Sequence, residues 1–153
     1  MHYKQPVSVL VLVYTQDLRV LLLERADFPE HWQSVTGSCE PREPLAATAV
    51  RELAEETGID ARAFGGVEDW RMSNDFEIFA QWRHRYPPGT MHNTEHVFAL
   101  AVPAPVEVRL NPREHLRHAW LPWRDAAQRC FSWTNRDAIL ALPERVHARE
   151  SLR

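Results

Sequence analysis

GSCEPREPLAATAVRELAEETGI, residues Gly37 to Ile59, is the stretch from which the rest of the chain can be read. Its centre is patterned as a helix. Pro44 suits a first helical position, where a missing N–H matters little, and Gly58 suits the residue just past the end. Between them Leu45, Ala46, Ala49, Val50 and Leu53 recur at spacings of three and four, the apolar stripe of a helix lying on a core. Glu52, Glu55 and Glu56 stand at i, i+3 and i+4 and so share one helix face. Three carboxylates stacked that closely repel one another, and a hard divalent cation such as Mg²⁺ or Mn²⁺, bound through oxygens, removes the repulsion. Glu43 falls at the start of the helix, near the favourable end of its dipole. Arg51 lies four residues before Glu55 and can pair with it, or with Glu43 across the loop. A cluster of glutamates is usually a solvated helix face; what favours a site here is the completeness of the pattern around it.

Outward from this segment the chain alternates strands and loops. Val7 to Tyr14 is β-branched and nearly all apolar, as a strand buried on both faces requires. Gln16-Asp17 is a polar turn, and Val20 to Leu23 resumes as a strand ending in Glu24-Arg25. Asp27 to His31 contains Pro29 and reads as a loop; Trp32 to Thr36 is a short extended piece. Downstream, Asp75 to Tyr86 alternates, with Phe76, Ile78, Ala80 and Trp82 on one face, and predicts a strand. Pro87-Pro88-Gly89 turns the chain, and His96 to Val102 returns as another strand. Val106 to Leu110 and His118 to Leu121 are weaker strand signals. A second helix is expected from about Asn135 to Leu142, capped by Thr134 or Asn135. Arg145 to Arg153 reads as a solvated, mobile tail. Strands, helix, strands, helix make a mixed sheet flanked by helices rather than a regular βαβ series.

Composition bounds the function. A length of 153 residues fits one domain over 1–153. With 44% hydrophobic and 25% charged residues the chain is an ordinary globular one, neither disordered nor fibrous. A net charge of −3 lacks the basic footprint of a nucleic-acid binder. No run approaches the roughly 18 to 20 apolar residues of a membrane span. Met1 to Pro6 is polar and leads straight into a strand, so no signal peptide is expected. Two cysteines, Cys39 and Cys130, make no disulfide framework. The expectation is a reduced, cytoplasmic protein and, with no apolar seam evident, a monomer. His115-x-x-His118 and the pair His92 and His96 have spacings that suit zinc, but no further ligands accompany them.

Gly37, Glu43, Arg51, Glu52, Leu53, Glu55, Glu56, Gly58 and Ile59 fill every fixed position of G-x5-E-x7-R-E-U-x-E-E-x-G-U, with U aliphatic. The segment resembles the Nudix box. That resemblance implies an α+β chain folded as an α/β/α sandwich, the Nudix fold. It also implies metal-assisted attack of water on a phosphoanhydride. Glu52 and Glu56 are the implied principal metal ligands. Glu55 either assists or acts as base, with Arg51 beside it among the catalytic groups. Glu114, in Asn111-Pro112-Arg113-Glu114, is implied as a further ligand or base. The chemistry is coherent: cations bridging phosphate oxygens neutralise charge that would repel the attacking water, and a carboxylate takes the proton.

Further segments outside the box are similar to one group of these enzymes, the bacterial dihydroneopterin triphosphate pyrophosphohydrolases. They are Trp32-Gln33-Ser34-Val35-Thr36-Gly37-Ser38, Phe76-Glu77-Ile78-Phe79 with Arg83-His84-Arg85-Tyr86, Asn93-Thr94-Glu95, and Ser132-Trp133-Thr134-Asn135-Arg136. The implied substrate is a small-molecule pterin triphosphate; the alternative is a nucleoside triphosphate such as dATP or an oxidised nucleotide. Lys4 and Arg25, with Arg83 or Arg85, are the candidate phosphate cations. Thr36, Phe76, Glu77, Ile78, Phe79 and Ser132 are candidate substrate contacts. A flat pterin needs a stacking wall, for which Phe76, Phe79, Trp32 and Trp133 are candidates, while Trp70, Trp82, Trp120 and Trp123 read as core.

Overall fold

The structure is a computed structural model that describes residues 2–151. In chain order the elements are β1 (Val7–Thr15), β2 (Arg19–Arg25), β3 (Trp32–Gln33), β4 (Val35–Ser38), α1 (Leu45–Thr57), β5 (Glu68–Glu77), β6 (His92–Val102), β7 (His115–Pro122), α2 (Trp123–Arg129), α3 (Trp133–Leu140) and α4 (Leu142–Ser151). Two 3₁₀ turns, Ala61–Phe64 and Ala80–Arg85, punctuate the chain. The sheet is mixed. Its centre is the parallel pair β1 and β6, in register from Val7↔Thr94 to Thr15↔Val102. β5 lies antiparallel beyond β6. β4 pairs antiparallel with β1 from Ser8↔Ser38 to Val11↔Val35, and β2 carries β3 and β7.

The unbroken apolar run of β1 makes the strand serve two cores at once. Leu10, Leu12 and Tyr14, with Val97 and Ala99 of β6, pack against Ala126 and Ala127 of α2, Ala138 and Ile139 of α3 and Leu142 of α4. Val9, Val11 and Val13, with Phe98, Leu100 and Val102, meet Ala49 and Leu53 of α1 on the opposite face. The result is the α/β/α sandwich. Leu53 is fully buried at the centre of the α1 contact. Leu53→Ala is expected to lower unfolding stability by about 2–5 kcal/mol, read from denaturant midpoints at unchanged slope.

Several local expectations are corrected. Pro44 sits just before α1 as its cap residue, with ψ 144°, rather than inside it, while Gly58 ends the helix at φ 76° as a left-handed glycine should. Ala46 of the proposed stripe is exposed. The strand foreseen over Asp75 to Tyr86 is instead the last part of β5, a short link through Ile78 and Phe79, and the turn Ala80–Arg85. Aromatic packing overrides the alternation: Phe79 and Trp82 sit 5.3 Å apart and lie 5.8 and 6.2 Å from Phe131. Arg83 Nε folds back to donate to the Ile78 carbonyl at 3.0 Å. Val106 to Leu110 is extended but joins no strand; Arg109 N–H bonds the Thr57 carbonyl at 2.8 Å, and the apolar residues rest on the α1 side of the core. α2 was not foreseen. α3 begins earlier than expected, and its cap is Ser132, whose hydroxyl accepts from Asn135 N–H at 3.3 Å, not Thr134 or Asn135. The expected tail is helix α4 as far as Ser151, with Arg145 donating to the Trp70 carbonyl at 2.7 Å and Arg149 to the Tyr14 hydroxyl at 3.1 Å. Leu152 and Arg153 lie outside the described residues.

Candidate active site

α1 packs beneath β4 so closely that Gly37 touches the acid face. A Cβ at Gly37 would stand 2.1 Å from Glu52 Cδ, so only glycine leaves that carboxylate its place. Glu56, one turn further on, is buried, shares a hydrogen bond with Glu52, and accepts from the Thr36 backbone N–H. Burial raises the pKa of Glu56 well above the ordinary value, and the charges of Glu52 and Glu114 add to the effect. Burial raises Glu52 as well, while Arg51 pulls it down. Two acids side by side, Glu56 buried and Glu52 partly so, disfavour each other's ionised form. His115 Nε2 lies 3.7 Å from Glu56 Oε1, but burial, aided by Arg25, pushes that ring down to about 4, so at pH 7 it is neutral and no counter-charge.

Arg51 ties the box together from behind. It donates to both Glu43 oxygens at 2.8 Å, to Glu52 at 2.8 Å, to the Ser38 carbonyl at 3.1 Å and to Glu55 at 3.3 Å. The Arg51 hydrogen bonds hold the Glu43 carboxyl down to about 2. Both pairings read as alternatives from the sequence, with Glu43 and with Glu55, occur together.

No group of three His, Cys, Asp or Glu side chains among the described residues is gathered as a ready-made cation cage. The donor chemistry nevertheless fits a hard cation. Glu52, Glu56 and Glu114 face one cleft with oxygen ligands only. Glu56 Oε1 is buried without a hydrogen-bond partner among the described residues. A cation there would meet that orphan oxygen and relieve the repulsion between the acids.

The cleft holds about 840 Å³. Glu52, Glu55, Glu56 and Glu114 line it; Arg51 does not. Glu114 is set by a turn in which its N–H bonds the Asn111 carbonyl and its own carbonyl accepts from Ala26, both at 2.9 Å. Lys4, Arg25, Thr36, Phe76, Glu77, Ile78, Phe79 and Ser132 also line it. Partial desolvation and the charges of Arg85 and Arg25 lower the Lys4 pKa. Arg25 is bidentate to Asp27 at 2.7 and 2.8 Å and lies over the Trp82 ring at 4.2 Å. Arg85 shares the same Asp27 oxygen at 3.0 Å, and the two guanidiniums hold that carboxyl far below its usual range. Arg83 is committed to Glu77 at 2.7 Å and does not line the cleft.

Two tryptophans exchange roles. Trp82, expected in the core, lines the cleft, while Trp32, expected as a wall, belongs to the core under α2 and α3. Trp133 is a half-exposed wall residue. Sequence reasoning gave no individual role to Asn93, Glu95, Tyr86, His115 and Phe131, all on the cleft. One signal was available for two of them: Asn93 and Glu95 are polar at positions of β6 whose register-mates Val97 and Ala99 are core. Burial pushes Glu95 up to about 7 against a hydrogen bond from Thr134 that lowers it. An acid raised in the folded state costs stability as pH climbs from its unfolded value to its folded one. From the ordinary 4.5 to about 7, that loss is roughly 3 kcal/mol, spread over this window and complete above it. Glu95→Gln is therefore expected to remove about that much downward slope between pH 4.5 and 7 from stability-against-pH curves, each read against wild type.

The NUDIX domain model matches residues 4–142. The chain is 47% identical over 139 residues to the dihydroneopterin triphosphate diphosphatase of Escherichia coli K12, covering 90% of this chain and 91% of that protein. It is 40% identical over 141 residues to the protein of the same name from Haemophilus influenzae, covering 91% and 88%. The solved structure of the E. coli dihydroneopterin triphosphate pyrophosphohydrolase superposes with a TM-score of 0.85 at 46% identity, covering 91% of this chain and 95% of that one. With the filled box, the α/β/α sandwich and the acid-lined cleft, these likenesses lead to one conclusion: the chain belongs to the Nudix family of hydrolases.

Proposed function

We propose that the protein hydrolyses 7,8-dihydroneopterin 3′-triphosphate to dihydroneopterin monophosphate and pyrophosphate, with Mg²⁺ or Mn²⁺ held by Glu52, Glu56 and Glu114. The observation that carries this is a single cleft lined by oxygen acids, by aromatic side chains and by Lys4 and Arg25. Near-full-length likeness to proteins named for that substrate supports the same reading.

A divalent cation bound to these carboxylates would neutralise phosphate charge and acidify water. The protein's own groups supply the rest. Glu55 is half-exposed and only loosely engaged by Arg51 at 3.3 Å, which suits it to take the proton of the attacking water. Glu114, which lines the same cleft, is the other candidate. The new bond joins water oxygen to phosphorus, and the phosphoanhydride bond between the α- and β-phosphates breaks, its bridging oxygen keeping the electron pair on the departing product. Arg51 acts as a positioning residue for Glu43, Glu52 and Glu55. Lys4 and Arg25 bind phosphate oxygens, Arg25 sharing its charge with Asp27. Phe76 and Phe79 stack the ring, while Thr36, Glu77, Ile78 and Ser132 border it. No described helix is long and apolar enough to cross a membrane, and two free thiols support a reducing, cytoplasmic setting. We take the partner to be the small-molecule substrate alone, met by a monomer and without nucleic acid.

The test is kcat/KM for the pterin triphosphate against dATP and dGTP, with pyrophosphate release measured in each case. At least tenfold preference for the pterin is expected; equal or better turnover of a deoxynucleotide moves the assignment to that substrate class. Arg25→Ala should raise KM about tenfold, the worth of one charge-assisted hydrogen bond, with kcat changed much less. An unaltered KM removes Arg25 from phosphate binding.

A further inference from the structure

One face of β6 changes character along its length. Val97 and Ala99 cover the core beneath α2 to α4, but Asn93 and Glu95, on the same face, border the cleft instead. Asn93 is 1% exposed and Glu95 4%, so neither oxygen has water to turn to. Asn93 Nδ2 donates to Ser8 Oγ at 2.7 Å, which leaves Oδ1 without a partner among the described residues. Thr134 hydrogen-bonds the Glu95 carboxyl, and Oε1 is left over in the same way. Two buried acceptors one pleat apart, with no donor supplied by the described chain, are costly to keep and call for a ligand that brings donors. The register places Phe76 directly opposite Asn93, so an aromatic wall borders the acceptors.

We propose that Glu95 and Asn93 read the donor edge of the pterin, accepting hydrogen bonds from its 2-amino group and N3–H while the ring lies along Phe76. This rests on the substrate reading above and adds to it the residues that select the ring. Donors at that edge favour the ionised form of Glu95, as the Thr134 hydrogen bond already does. A site built from acceptors rejects a ring that presents another acceptor, because both are then left unpaired.

The experiment compares 7,8-dihydroneopterin triphosphate with its lumazine counterpart, in which the 2-amino group is replaced by oxygen, on wild type and on Glu95→Gln. Wild type is expected to favour the pterin by at least tenfold in kcat/KM. Glu95→Gln should raise KM for the pterin at least tenfold with kcat little changed. It should also shrink or invert the pterin preference, since its amide can donate to the 2-oxo group. A purely structural role for Glu95 would lower both substrates alike, and that parallel loss overturns the assignment. So does an unchanged KM with an unchanged preference. Should the variant fail to fold, wild-type indifference between the two rings overturns it, and a tenfold wild-type preference supports it. A wild type that leaves the pterin triphosphate intact while cleaving dATP overturns the substrate reading and this one together. A wild type that cleaves the pterin but ignores the 2-amino group overturns this one alone.

Discussion

Glu56→Gln should lower kcat/KM by about three orders of magnitude, roughly 4 kcal/mol of transition-state stabilisation, while the fold stands. Glu56 is buried against Glu52, and one of its oxygens has no partner among the described residues. Its charge is thus a burden on the free protein and useful only toward a cation. The amide removes both at once. In chelator-treated protein at pH 8, where the raised acid is most costly, the variant should melt no lower than wild type. Added Mg²⁺ should raise the wild-type melting temperature by mass action and leave that of the variant nearly unmoved. A variant with near-normal turnover takes Glu56 out of the site, whatever its stability.

Gly37→Ala should cost about a hundredfold in turnover, because its methyl group would occupy the place of the Glu52 carboxylate and a displacement of about 1 Å is enough for such a loss. The clash falls at 2.1 Å from Glu52 Cδ and 2.4 Å from Oε2, the flexible end of a side chain rather than backbone. Glu52 can therefore swing aside, and the stability cost should stay near the lower end of the roughly 1–3 kcal/mol of overpacking. Kinetics and thermal melting on the same preparation separate the two effects. A variant that loses stability in step with activity would mean that β4, not Glu52, had moved.

The box residues were legible because their chemistry is local. A helix period alone places Glu52 and Glu56 on one side, and Gly58 ends that helix at φ 76° for the reason any helix ends on glycine. The double burial of β1 was legible too, since an apolar run without alternation has no solvent face to offer. The segment after Glu77 was not. Its alternation is genuine, but the bulky rings of Phe79 and Trp82 gain more by meeting Phe131 than by extending the strand. α2 escaped notice because Trp123 to Arg129 is a short stretch whose burial depends on a sheet face formed far away in sequence. Trp32 and Trp82 exchanged places for a similar reason: aromatic residues look alike until their neighbours are known.

The order of residues in the chain was enough to define the acid helix, the glycine that ends it, the two-faced central strand and, through the filled box, the class of chemistry. These depend on interactions within about one helical turn or one strand, which spacing encodes directly. Tertiary structure alone decided which acid is buried and which exposed, that Arg51 stands behind the cleft while Arg25 stands in it held by Asp27, and that Asn93 and Glu95 line the same cleft as Glu52 and Glu56. Burial and opposition of charge are set by segments distant in sequence, and no local pattern records which distant surface will cover a given side chain.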